Sequence, residues 1–449
     1  MSSNHPMETE SIPRLLVRFS GPAIAGLLAH ALYNITDRVF VGRTVGSEGL
    51  AALSLAFPFM LLFIAFGILV GVGTSSRMAI QLGEKDAPGA AVTLGTGTTL
   101  GLVGSVAITF LGFLVLGPLL RASGASGRVF DLAKAYLEVI LLGAGFSSLG
   151  MGFTAVLRAL GRPRVSMAAQ FLGAGLNILL DAWWVLGMGW GVRGAAWATV
   201  LSELALCLWA AWVVFRGQDV VRVRLRHLVP RGVALRRIVA VGFPPGVMEM
   251  GFTLVVALMN RQVQRYGGDV GLSAMGIFFG LDALFFLPAL GVGEGAQPLI
   301  GFNYGAVRLD RVRAVTWMAA SAATVYFLGS LVVVELFAES LVGLFNATDP
   351  HLTEVASWGL RVCYAGAPLA GVSITAGYFF QGLGKSRASM VLTFCRFTLF
   401  ILVPLLTLPP LLGLTGAWLA LPVADLGGFL LGGWMMRRTL AKLESPGGN

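Results

Sequence analysis

Asp37, Asn177, Asp181 and Thr199 are polar residues set in otherwise apolar stretches, and their types suggest one chemistry. Asn177 and Asp181 are one helical turn apart, so a helix presents both on one face. Two carboxylates, an amide carbonyl and a hydroxyl are hard oxygen ligands for a small cation such as Na⁺. Two carboxylates brought close together also trap a proton. Asn34, three residues before Asp37, adds a further amide, and Tyr33 stands next to it. The plain structural readings are an ion pair of Asp37 with Arg38 and a helix-packing hydrogen bond for Asn177 and Asp181. Pro22 precedes Asp37 by fifteen residues in the same stretch. A proline there removes a backbone hydrogen bond, which makes either a hinge coupled to Asp37 or a fixed kink.

Other acids also fall in apolar stretches: Glu203, Glu249, Asp282, Glu294 and Asp425. Arg396 is the basic residue well inside such a stretch, so these acids are expected to lack cationic partners. Glu249 and Asp282, with Met248 and Met259, offer a second, adaptable cavity that attracts organic cations; packing is the default role of the methionines. Glu294 sits among Gly291, Gly293 and Gly295, where exposed backbone gives it something to bond. Cys207, Cys363 and Cys395 lie in apolar runs without CxxC or Cys/His spacing, which supports neither a disulfide framework nor a zinc site. The 4 histidines are scattered. No His pair, DxxxD motif or Ser/Lys dyad stands out, so nothing points to an enzyme.

The elements that must position these residues are set by composition. Of the 449 residues 56% are hydrophobic and 12% charged, and the mean hydropathy is +0.81. A water-soluble protein carries about twice that charge, so the chain reads as an all-α polytopic membrane protein. Stretches long enough to cross a bilayer fall near 14–41, 49–76, 90–120, 134–158, 163–187, 193–216, 234–265, 270–302, 310–337, 354–383, 386–411 and 414–438. Residues 1–12 carry Glu8 and Glu10 and lack the apolar core of a cleavable signal, so the first span is expected to direct insertion. Most of the 32 Lys and Arg fall on the side of the amino terminus, which places both termini and the basic linker in the cytoplasm. The net charge of +10 is then mostly topology. Arg222, Arg224 and Arg226 read as positive-inside bias with anionic-lipid contact rather than nucleic-acid binding.

The halves repeat. At an offset of 222, residues 46–83 align without gaps on 268–305, pairing Gly46 with Gly268, Phe57 with Phe279, Gly73 with Gly295 and Gly83 with Gly305. Pro22 falls on Pro244 and Glu203 on Asp425, while Gly161 and Arg164 fall on Gly384 and Arg387 at offset 223. Six is an even number of crossings, so the two repeats are parallel. The expected division is a tail 1–13, a lobe 14–216, a linker 217–233, a lobe 234–440 and a tail 441–449. Parallel repeats of this kind are a transporter signature.

Over about residues 14–440 the chain resembles the multidrug and toxic compound extrusion (MATE) family. The resemblance rests on the segments Tyr33–Gly42, Gly295–Ala306, Arg158–Pro163 and Gly194–Thr199, and on Asn177 with Asp181. It implies twelve helices in two six-helix lobes around a cleft, exporting organic compounds in exchange for Na⁺ or H⁺. The family's amino-lobe cation site falls on Asp37, Asn177, Asp181 and Thr199, and its bending proline on Pro22. Some members use a carboxylate deep in span seven, where Glu249 here lies nearer the start. The expectation is a drug antiporter working by alternating access in the inner membrane of a prokaryote. Its partners would be a small organic substrate and membrane lipids, with no nucleic acid, no cofactor beyond the coupling ion, and one chain as the working unit. The alternative is a flippase for a lipid-linked precursor, or an exporter of an endogenous metabolite.

Overall fold

The computed structural model describes residues 6–123, 125–216, 221–345 and 349–444. Residues 1–5 and 445–449 of the expected tails and 217–220 of the expected linker lie outside them. Every regular element described is helical. The twelve long elements are α1 Ile12–Thr44, α2 Ser47–Gly83, α3 Ala87–Ala122, α4 Gly127–Ala159, α5 Pro163–Asp181, α6 Gly191–Arg216, α7 232–267, α8 269–305, α9 Leu309–Gly343, α10 Pro350–Tyr364 with Ala367–Gly382, α11 Ser386–Phe394 with its continuation to Thr407, and α12 Pro409–Glu444. Among the described residues ten helical runs are long and apolar enough to cross a membrane. The run Gly232–Gly305 counts twice because Gly268 breaks it at φ 60°. The α10 pair, bent by 48°, adds one more, which gives the twelve expected spans. The chain is an all-α polytopic membrane protein. On α3, Val103, Phe110 and Leu114 are more than 60% exposed, as lipid-facing side chains are.

Asp86 and Asp349 cap α3 and α10 by accepting backbone hydrogen bonds, each followed closely by a proline that cannot donate one. The internal repeat is visible in the backbone itself. Positive φ recurs at Gly46 and Gly268, Gly191 and Gly413, Gly161 and Gly384, and even at the non-glycine pair Lys85 and Val307. The turn after α2, closed by Glu84 N to Ile80 O, Lys85 N to Leu82 O and Asp86 N to Gln81 O, returns after α8. There Ala306, Val307 and Arg308 bond to Phe302, Tyr304 and Asn303.

Contacts group the chain into two compact units. One holds Ala25–Met250 and the other Glu8–Ile24 with the chain from Gly251 onward. The opening turns of α1 therefore belong with the second repeat, and those of α7 with the first. Glycines make this packing close. A Cβ on Gly242 of α7 would collide with the Leu69 carbonyl of α2, and one on Gly295 of α8 would lie 2.6 Å from the Ser20 backbone nitrogen of α1. This is what the glycine-rich stretch around Glu294 serves. The first unit's core includes Leu53, Phe63, Tyr136, Leu137 and Val200, and the second's includes Met259, Met275, Phe278, Phe327 and Trp418.

Candidate functional site

In the first unit, α1 supplies Asp37, α5 supplies Asn177 and Asp181, and α6 supplies Thr199. Asp37 is buried, and Asn177 and Asp181 have no exposed surface at all. Asp181 is the last α-helical residue of α5, and a π-helical turn, Ala182–Gly187, begins directly after it. Such turns are frequent where a helix re-aims a functional side chain. The amide nitrogen of Asn177 donates to Thr199 Oγ1 at 3.4 Å, and the Thr199 hydroxyl donates to the Ala195 carbonyl at 3.1 Å.

This arrangement leaves acceptors rather than donors. With its NH₂ turned to Thr199, Asn177 keeps its Oδ1 free. That atom, Asp37 Oδ1 and both Asp181 oxygens are buried without a hydrogen-bond partner. Asp181 lies within electrostatic reach of Asp37, and Tyr136 of α4 lies within reach of both carboxylates, its hydroxyl directed to Met60 Sδ at 3.8 Å. The charge of Arg38 acts on Asp37, while its guanidinium lies 5.7 Å from the centre of the Phe57 ring. A buried acceptor without a donor costs about 1–3 kcal/mol, and more when charged. A cation or a proton relieves that cost, whereas an anion would add to it. Among the described residues no group of three or more His, Cys, Asp and Glu is placed to hold a metal ion. A cation here would therefore take oxygens from Asn177 and Thr199 beside the carboxylate pair.

The remaining candidates divide. Tyr33 is buried against Ala29 and Ala174 and donates to Glu203 Oε1 at 3.4 Å. Glu203 thus ties α6 to α1. Asn34 spends its amide on the His30 carbonyl of its own helix at 2.9 Å. Met248 and Glu249 belong to the first unit, Met259 and Asp282 to the second. Met259 is 1% exposed and packs in the apolar core. Asp282 accepts a hydrogen bond from Tyr364 at 3.0 Å.

The expectation that the buried acids lack cationic partners fails at Asp425. Arg396 pairs with it at 3.5 Å and donates to Ser373 Oγ at 2.9 Å. Arg396 rides on a π-helical stretch, Cys395–Leu402, a local winding that sequence spacing did not anticipate. Tyr136 and Tyr364 were also missed. The available signal was a phenol inside an apolar run, which must find a polar partner when buried.

The family model described as MatE matches residues 22–183 and, a second time, residues 244–406. The chain is 29% identical to the multidrug export protein MepA of Staphylococcus aureus (strain N315) over 424 residues, 93% of this chain and 92% of that one. It is similar to a MATE protein solved in a straight conformation, with TM-score 0.93, 27% identity and 99% of each chain covered. One solved in a bent conformation gives TM-score 0.90, 28% identity and 96% of each chain.

Proposed function

The chain belongs to the MatE family, and we propose on that footing that it is a secondary active efflux transporter. It would expel organic, cationic or amphipathic compounds in exchange for Na⁺ or H⁺. The observation that carries this reading is the group of four partnerless buried oxygens on Asp37, Asn177 and Asp181. The similarity to a multidrug export protein supports the class of cargo. Two conformations in solved relatives fit a protein that alternates between shapes.

In the proposed cycle a cation or proton binds between Asp37 and Asp181 and takes Asn177 Oδ1 and the Thr199 hydroxyl as further ligands. Neutralised, the pair no longer repels, and α1 changes its path at Pro22. Pro22 lies two residues before the point where α1 passes from the second unit to the first. Bending there would change the path of the part of α1 that carries Asp37. Ion and cargo are coupled only if each prefers a different shape. In this reading the excess of Lys and Arg on one side supports cytoplasmic termini, and the chain would work in the inner membrane of a prokaryote with a single chain as the transporting unit.

The test is transport by purified protein in liposomes, with a fluorescent organic cation driven by an imposed Na⁺ or H⁺ gradient. Uptake or release that follows one gradient supports the reading and names the ion. Movement indifferent to both gradients would overturn it.

A further inference from the structure

A second polar site lies in the first unit, away from the acidic set. Arg77 of α2 and Arg226, Arg231 and Arg237 from the segment leading into α7 line a cleft of about 440 Å³. The segment is docked firmly. The Thr99 hydroxyl of α3 donates to the Leu228 carbonyl at 2.5 Å, the Arg231 backbone nitrogen donates to Thr96 Oγ1 at 3.4 Å, and Gly95 has no room for a side chain beneath the His227 carbonyl. Two helices also begin at the cleft, since Pro88 and Gly89 of α3 and Val233 and Ala234 of α7 line it. The α3 terminus is already closed, since Asp86 accepts the Gly89 N–H and Pro88 has none to give; the first turn of α7 is the one whose dipole favours an anion here.

Countercharge is short. Glu84 sits 3.8 Å from Arg77, and Asp86 lies within reach of the same arginine. Among the described residues, these two acids stand against the four guanidinium groups. Burial, and next the charges of Arg226, Arg224 and Arg231, hold the His227 ring below its ordinary basicity.

The second repeat provides an internal control. Gly89 and Gln81 correspond there to Arg311 and Asn303, and Gly232 corresponds to Glu10. Arg311 fills that position, bonding Asn303 Oδ1 at 3.0 Å and the Glu10 carbonyl at 2.7 Å. The Glu10 carboxylate meets Arg18 at 2.8 Å. The second unit, which includes Glu8–Ile24 from the start of the chain, therefore fills this place with its own side chains and its own acid. In the first unit the space beside Gly89 is taken by the Asp86 carboxylate, which accepts from the Gly89 backbone nitrogen at 2.9 Å, and by the Gln81 amide, while Gly232 has nothing within 4 Å, so no arginine stands where Arg311 does.

We propose that this cleft binds a phosphate group, carried either by an anionic lipid headgroup or by a soluble phosphate. Arginine forks match phosphate oxygens in geometry as well as charge. Basic clefts at membrane depth suit headgroups for the same reason. Of the run Arg222, Arg224 and Arg226, only Arg226 enters the cleft, so the site is a built one rather than a general excess of positive charge.

The test uses the full chain in detergent, probed separately with inorganic phosphate and with short-chain phosphatidylglycerol. Bound mass is read by native mass spectrometry and stabilisation by thermal unfolding, against chloride at equal ionic strength. Arg226→Gln/Arg231→Gln is expected to weaken binding by about 100-fold, roughly tenfold for each charged hydrogen-bonding group lost. The charge-matched control Arg216→Gln/Arg222→Gln should stay within about twofold of the unsubstituted protein. If the double variant does not purify as a folded species, Arg237→Gln alone should lose about tenfold. Binding of phosphatidylglycerol alone identifies a lipid headgroup, and binding of inorganic phosphate identifies a soluble source. Failure of both probes, or equal loss in the control, overturns the proposal.

Discussion

Asp181→Asn separates a coupling site from a structural one because it acts in opposite directions on two quantities. Asp181 is fully buried with both oxygens unbonded, and the asparagine preserves shape and one carbonyl ligand. For a cation within about 4 Å, one carboxylate contributes about 4 kcal/mol at an effective dielectric constant near 20. Its loss weakens cation binding by roughly three orders of magnitude. In the cation-free protein the same change removes a buried charge held close to Asp37, so the unfolding temperature should rise rather than fall. The assay is thermal unfolding in detergent, titrated with sodium chloride against choline chloride at constant ionic strength and repeated across pH. Unsubstituted protein should gain stability as the coupling ion is added, whereas Asp181→Asn should start higher and stay flat. Asp37→Asn should behave alike, and the double variant should add little, because residues of one site are not additive. A variant that keeps the ion-dependent gain at an unchanged midpoint would refute the reasoning.

Further outcomes follow from other parts of the structure. Either Arg396→Gln or Asp425→Asn alone leaves a half-buried charge unpaired and should cost about 3–5 kcal/mol, while the double variant should recover most of it, read as coupling in a double-mutant cycle. Pro22→Ala restores a backbone donor and removes a residue about 3 kcal/mol less favourable in a helix; it should raise thermal stability while slowing efflux in liposomes at least tenfold, and unchanged efflux would argue for a fixed kink. His227 prefers the neutral ring in the folded chain more than in the unfolded one. Its contribution is therefore present above about pH 6.5, the ordinary histidine value, and is lost as pH falls below it. Hydrogen exchange over residues 221–231 should speed up on acidification, and His227→Gln should flatten that response.

The spans, their number and the repeat were legible because each rests on local composition. A bilayer demands about twenty apolar residues, and glycines at an offset of 222 mark turns that need positive φ, as Gly46 and Gly268 do. What stayed hidden depends on winding and on tertiary exchange. No spacing rule announced the π-helical stretch that carries Arg396 to Asp425, or the grouping of α1's opening turns with the second repeat. For Met259 the sequence left a cavity and plain packing both open, and its neighbours Val263, Met275 and Phe278 put it among core residues.

The same residue also locates the asymmetry of the duplicated chain. Met259 stands at the position of Asp37 in the second repeat. At the repeat offsets Asn177 falls on Phe400, Asp181 on Pro404 and Thr199 on Leu421. Each oxygen ligand is thus replaced by a side chain that offers none. Pro404 is buried, while Phe400 and Leu421 pack against apolar clusters. The two copies keep the elements that govern shape, Pro22 with Pro244 and the matched positive-φ turns, and part ways in charge. If the set on α1, α5 and α6 couples an ion, as proposed, that coupling acts through α1 and has no counterpart on α7, whereas a symmetric pair of sites would act on both helices alike.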